Sequence, residues 1–147
     1  MEMECSLPDY TPPSEEVIEI LQKVKEIAIV GLSPNPKRDS HKVALYLLEN
    51  GYEIIPVNPG HKEILGKPCF KTLKDIPFPV DMANLFINPK RIQEQVDQAI
   101  ELGIPAIWMQ LGIVDNESAH KARKQGIQVV MNMCIMREHQ KLVMPKM

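Results

Sequence analysis

The residues able to do chemistry in this chain gather just behind short apolar runs. Ile27-Ala28-Ile29-Val30 leads into Gly31-Leu32-Ser33-Pro34-Asn35, and Lys37, Arg38 and Lys42 follow closely. Backbone amides in a turn between a strand and a helix favour a phosphate, because the helix dipole adds its positive end. Ser33 adds a hydroxyl donor, and Arg38 can grip an anion as a fork. A tight turn beside solvated bases reads equally well. Other runs end in Val57-Asn58-Pro59, Ile87-Asn88-Pro89, Gln110-Leu111-Gly112 and Asn132-Met133-Cys134. These turns are small, polar or amide-bearing, and none carries a carboxylate to serve as a general base.

Several familiar chemistries lack their residues. The turn after the first run has only Gly31 of G-x-G-x-x-G, and the second run ends in Val57-Asn58-Pro59 rather than in the acid that binds a nicotinamide ribose. No P-loop occurs, and Ser33 and Ser40 have no G-x-S-x-G context. His41, His61, His120 and His139 show no metal-ligand spacing, so no metal site is expected. His41 reads as exposed or touching a phosphate, and His120 and His139 read as helix-surface residues. Asp81 falls at the start of a run, away from the strand ends, and reads as structural. Cys5, Cys69 and Cys134 form no CxxC, which fits free thiols in a reducing compartment. Cys134 is a redox-sensing thiol or a small packing residue.

The elements that must position these residues alternate. Ser14 caps a helix with Glu15 and Glu16 in its first turn and Val17, Ile20, Leu21 and Val24 on its apolar stripe. A strand at 27–30, a helix capped by Asp39 or Ser40, and a strand at 53–57 follow. Pro56 is expected to finish that strand, because proline suits strand ends and edges. Residues 61–79 read as a loop with a short strand and one helical turn. Residues 82–87 form the next strand, and Asn88-Pro89 starts a helix as cap and first-turn proline. Strand 105–109, a helix begun by Asp115, strand 127–130 and a short helix at 134–142 complete the pattern. Trp108 and the stripe Ile92, Val96, Ala99 and Ile100 read as core. The fold class is α/β: a three-layer, doubly wound parallel sheet of about five main strands. Ligands of such sheets bind beyond the carboxyl ends of the strands, where strand order reverses.

The chain has 147 residues, 44% hydrophobic and 24% charged, which is one ordinary globular domain. That domain is assigned to residues 14–142, with a flexible arm at 1–13 and a tail at 143–147. A net charge of -2 argues against nucleic acid bound through bulk charge. No run approaches the ~20 apolar residues of a membrane helix. The first 13 residues carry three acids and no base, unlike a signal peptide, so the expected location is the cytoplasm. Met131, Met133, Met136, Met144 and Met147 suit a partner or a second copy of the chain, and a loose end equally.

The stretches IAIVGLSPNPKRDSHKVALYLLENGYEIIPVNPG, EILGKPCFKTLKDIPFPVD, IWMQLGIVDNESAHKARKQGIQVVM and CIMREH resemble the stand-alone CoA-binding domain family. These are small Rossmann-like proteins similar to the CoA-binding domain of the succinyl-CoA synthetase α subunit. The resemblance spans roughly residues 15–142. It implies a Rossmann-like CoA-binding fold and CoA or acyl-CoA as ligand. It implies that Gly31, Leu32, Ser33, Pro34, Asn35, Arg38 and Ser40 serve the phosphates, with Val57, Asn58 and Pro59 near the adenosine. Ile87, Pro89, Gln110, Leu111 and Gly112 would line the rest of the cleft. The family often has an acidic-basic pair before the cysteine of the last motif; here it is Asn132-Met133. Ligase chemistry is not carried over, since the synthetase's phosphohistidine domain has no counterpart here. The expected function is a non-catalytic CoA-binding protein: a carrier, a sensor or a detachable subunit of a CoA-using enzyme. The functional reading of Cys134 is then a thiol that pairs with CoA as a mixed disulfide. An NAD(P)-linked oxidoreductase, a CoA-transferring enzyme, and an interaction module with a vacant nucleotide cleft are the alternatives.

Overall fold

The computed structural model describes residues 7–144; Cys5 and Met147 lie outside the described residues. The order is α1 (Ser14–Lys23), β1 (Glu26–Val30), α2 (Asp39–Glu49), β2 (Glu53–Val57), β3 (Glu63–Ile64), β4 (Lys67–Pro68), β5 (Met82–Leu85), α3 (Ile92–Leu102), β6 (Ala106–Met109), α4 (Asn116–Lys124), β7 (Gln128–Val130) and α5 (Ile135–Leu142). Five strands form one sheet in the order β2-β1-β5-β6-β7, and every pairing is parallel. The small β3-β4 pair is separate and antiparallel.

Helices cover both faces, so the inner strands read as near-continuous apolar runs rather than alternating, with Asn84 of β5 the buried polar exception. Alternate residues of each strand feed two cores. Ala28, Val30, Ala83, Leu85, Ile107 and Met109 pack with Val96 and Ala99 of α3 and Ala119 and Ala122 of α4. Ile27, Ile29, Met82 and Trp108 pack with Ile20 and Leu21 of α1, Val43 and Leu47 of α2, and Ile135 of α5. From β1 the chain moves outward to β2 and then returns to β5 on the other side of β1. That reversal is the switch point where a doubly wound sheet opens its ligand crevice.

Three local expectations change. Pro13, not Ser14, occupies the cap position of α1, and no side chain caps it. Pro56 does not end its strand: β2 runs on to Val57, because as an edge strand it has an outer side on which no ladder donor is needed. The outer side is met by Phe70, whose N–H donates to Pro56 O at 3.0 Å. Asn88-Pro89 opens a 3-10 turn, Pro89–Arg91, before α3 begins. Asp115 caps α4 as expected, accepting from Ser118 N at 3.1 Å. Asp81 accepts from Lys25 N at 2.8 Å and Glu26 N at 3.0 Å, closing the amino ends of the strands. Residues 7–10 lie along α4: Asp9 N donates to Asn116 Oδ1 at 2.8 Å, and the Arg123 guanidinium stands 4.7 Å from the Tyr10 ring centroid.

Candidate functional site

The ends of β1, β2 and β5 converge on Gly31. Its N–H donates to Val57 O at 2.8 Å. Its φ is +89°, and a Cβ there would stand 2.1 Å from Phe86 O. Only glycine satisfies both the backbone angle and the approach. Above this crossing three adjoining hollows form one trough along the carboxyl edge of the sheet. The first, about 380 Å³, includes Lys42, Phe86, Gln110, Cys134 and Arg137. The second, about 580 Å³, includes Gly31, Ser33, Lys37, Arg38 and Ser40. The third, about 400 Å³, includes Val57, Asn58, Pro59, Lys71, Arg91 and Gln95. Asp39 and Phe86 belong to the first two, Gly31 to the last two, and Ile87 joins the first to the third.

The loop after β1 is held by its own side chains. Ser40 Oγ, on a residue 3% exposed, accepts from Ser33 N at 3.0 Å. Ser33 Oγ accepts from Asn35 N at 3.1 Å, and Asn35 Oδ1 accepts from Lys37 N at 3.0 Å. The amides of Ser33, Asn35 and Lys37 are therefore consumed within the loop. Arg38 caps α2 without a side-chain acceptor. The first-turn amides of Asp39 and Ser40, which have no intrahelical acceptor, are the donors left for an anion. His41 is not exposed: it is buried, and its Nδ1 lies 2.9 Å from Ser33 O, which requires the Nδ1–H tautomer. The side chain of Leu32 lies in the core between sheet and helices, and Pro34 and Asn35 point to solvent.

Asn58 ties the neighbouring turn to this loop. Its Nδ2 donates to Leu32 O at 3.0 Å, and its Oδ1 accepts from Gly60 N at 2.9 Å. Cys69 Sγ stands 3.5 Å from Asn58 O, and burial pushes the Cys69 thiol up.

At the far end the amide of Gln110 is engaged at both its nitrogen and its oxygen. Its Nε2 donates to Asn84 Oδ1 at 2.6 Å, and its Oε1 accepts from Ile135 N at 3.4 Å. Gln110 thus ties β5, β6 and the start of α5 together while lining the hollow. Trp108 Nε1 donates to Met133 O at 2.8 Å, and Gly112 N donates to Asn132 Oδ1 at 2.7 Å. Asn132 adopts φ +62°, which asparagine tolerates better than most residues. Cys134 is half-buried at the cap of α5 and faces the first hollow. Leu111 lines that hollow too, whereas Pro89 and Gly112 lie outside all three. His139 is not a surface residue: it is buried, with Nδ1 2.7 Å from Tyr46 Oη.

The trough gathers charge that the sequence scatters. Lys37, Arg38, Lys42, Lys71, Arg91 and Arg137 line it against only Asp39 and Glu94. The chain as a whole carries -2. Arg91 and Lys71 escape sequence reasoning because they follow different strands and meet only in the fold. Gln95 and Gln98, on α3, line the third hollow without any motif to announce them. No group of three or more His, Cys, Asp or Glu among the described residues is placed to hold a metal. No helix among them is long and apolar enough to cross a membrane.

Comparison with known proteins meets this geometry. The chain is 39% identical over 128 residues to the uncharacterized protein YneT of Bacillus subtilis, covering 87% of this chain and 95% of that one. A solved structure of a hypothetical protein from Pyrococcus horikoshii OT3 superposes with a TM-score of 0.88 at 42% identity, covering 96% of this chain and 99% of that one. An ADP-forming acetate–CoA ligase II of Archaeoglobus fulgidus is 32% identical over 98 residues, which is 65% of this chain but only 14% of the ligase. The family model described as a CoA binding domain matches residues 25–140, and the chain belongs to that CoA-binding domain family.

Proposed function

We propose that the trough binds CoA or an acyl-CoA, and that the protein acts as a carrier, a sensor or a detachable subunit of a CoA-using enzyme without turning the ligand over itself. The observation that carries this reading is the charge of the trough. Six cations face two carboxylates at the switch point of a chain whose net charge is -2. The pyrophosphate fits the free amides at the start of α2 with Lys37 and Arg38 beside it. The adenosine fits the hollow at Val57, Asn58 and Pro59. There the side chain after β2 is an amide, not the acid of a nicotinamide site, and Lys71 and Arg91 are close at hand. A carboxylate would repel a phosphorylated ribose; two cations attract it. The pantetheine arm then passes Phe86 and Ile87 into the hollow lined by Gln110, Leu111 and Cys134. A related stretch within a much longer ADP-forming acetate–CoA ligase supports the idea of a CoA-using enzyme as partner.

Denaturing mass spectrometry on freshly purified protein tests the reading. Release of CoA or an acyl-CoA is the expected result, and the mass names the acyl group. An adduct of CoA mass lost only on reduction would assign Cys134 as its attachment point once Cys134→Ser abolishes it. Release of NAD(P) instead would favour an oxidoreductase and overturn the proposal.

A further inference from the structure

The third hollow contains two polar groups that nothing in the protein answers. Gln95 is only 5% exposed, and its Oε1 is buried with no hydrogen-bond partner. Gln98 lies one turn further along α3, and its Oε1 is buried and unpartnered too. Residues three apart on a helix share a face, so both amides border the same hollow, which they line together. A buried amide left without a partner is costly, and native structures rarely keep one without a use. Val30, Val57, Pro59 and Ile87 give the hollow an apolar side, and Asn58, Lys71, Thr72, Arg91 and Glu94 give it a polar one. The space is about 400 Å³, and it combines that apolar side with the two glutamine amides.

Resting on the CoA reading above, we infer that Gln95 and Gln98 read the nucleobase, accepting from the exocyclic amine of adenine. The side formed by Val30, Val57, Pro59 and Ile87 suits the face of a planar base, and the cations on the other side suit the phosphorylated ribose. A glutamine amide is complementary to adenine's adjacent amine and ring nitrogen, donor to acceptor and acceptor to donor. If the amide oxygen and nitrogen are exchanged by rotation, the same pair of groups still finds its complement on that edge. The base is thereby selected by α3, an element with no part in the phosphate loop. A guanine or hypoxanthine nucleotide carries a carbonyl in place of the amine, so it offers no exocyclic amine at that position to answer the glutamine oxygens.

Fluorescence titration with CoA and with 1,N6-etheno-CoA separates this inference from the reading beneath it. The etheno bridge blocks the amine and leaves the pyrophosphate, ribose and pantetheine unchanged. The wild-type protein is expected to bind CoA about tenfold more tightly than the etheno analogue. Gln95→Leu and Gln98→Leu are expected to weaken CoA binding toward the level of the analogue while leaving the analogue's own binding unchanged. Gln95→Leu also removes an unpartnered buried carbonyl, so the empty variant should melt no lower than wild type. Equal binding of the two ligands by wild type overturns the inference and leaves the CoA reading standing. A preference that survives in both variants overturns it as well. Binding of neither ligand to wild type removes the CoA reading, and this inference with it.

Discussion

Gly31 is the residue on which the site turns. An alanine there meets Phe86 O at 2.1 Å and must hold φ near +89°. Strain and clash together should cost Gly31→Ala at least about 2 kcal/mol, read as a lowered midpoint in urea unfolding. Ser40→Ala should behave differently. It strands Ser33 N, whose acceptor at 3.0 Å it deletes, and should cost about 1 to 2 kcal/mol. Its larger effect is expected on ligand affinity, because the loop loses the contact that sets its shape. Gly31 and Ser33 are legible in the sequence since a turn between strand and helix needs small and hydroxyl residues locally. His41, Gln95 and His139 are not legible. Their roles depend on partners brought by the fold: Ser33 O for His41, the walls of the third hollow for Gln95, and Tyr46 of α2 for His139.

At the scale of elements, α5 carries both a wall of the trough and a buried histidine. The His139 ring meets Tyr46 and Tyr52 edge-on at centroid distances of 5.5 and 5.7 Å. Burial holds its pKa below the ordinary 6.5, so the native ring resists a proton that the unfolded chain accepts. The unfolded state therefore binds more protons as pH falls below about 6.5, and stability is lost from there down to the native pKa. His139→Phe should flatten that part of the pH profile, measured by urea unfolding at neutral pH and near pH 5.5 relative to wild type. A second element-scale expectation concerns the 3-10 turn before α3 and the segment after β4. Arg91→Ala combined with Lys71→Ala should weaken CoA about tenfold or more and dephospho-CoA much less, since only CoA presents a ribose phosphate to them. Strands β1 and β6 are legible because burial on both faces makes them short apolar runs, and β5 is legible as such a run interrupted only by Asn84. The β3-β4 pair is legible only as one short strand somewhere in residues 61–79, because two residues per strand leave no period to detect. Pro56 misleads because its tolerance depends on β2 lying at the edge, which is a property of the sheet rather than of the segment.

At the scale of the molecule, an acidic chain presents a basic trough. The alternation of strands and helices makes the doubly wound architecture legible, and the resemblance of four ordered motifs makes the family legible. The trough's charge is not legible as a cluster, since Arg38, Lys71, Arg91 and Arg137 are distributed over the length of the chain. Because the attraction is electrostatic and partly exposed, CoA affinity should fall as salt rises. Ligand that binds only the native state stabilises it by about 2.7 kcal/mol at a hundred times Kd, which raises Tm by roughly 5 to 10 °C for a domain of this size. The most direct measurement is calorimetric titration of the ligand-free protein with CoA, with NAD as the control. The account predicts one site per chain with Kd about micromolar or tighter, and no comparable heat from NAD. No saturation by CoA at millimolar concentration, or tighter binding of NAD, would contradict it.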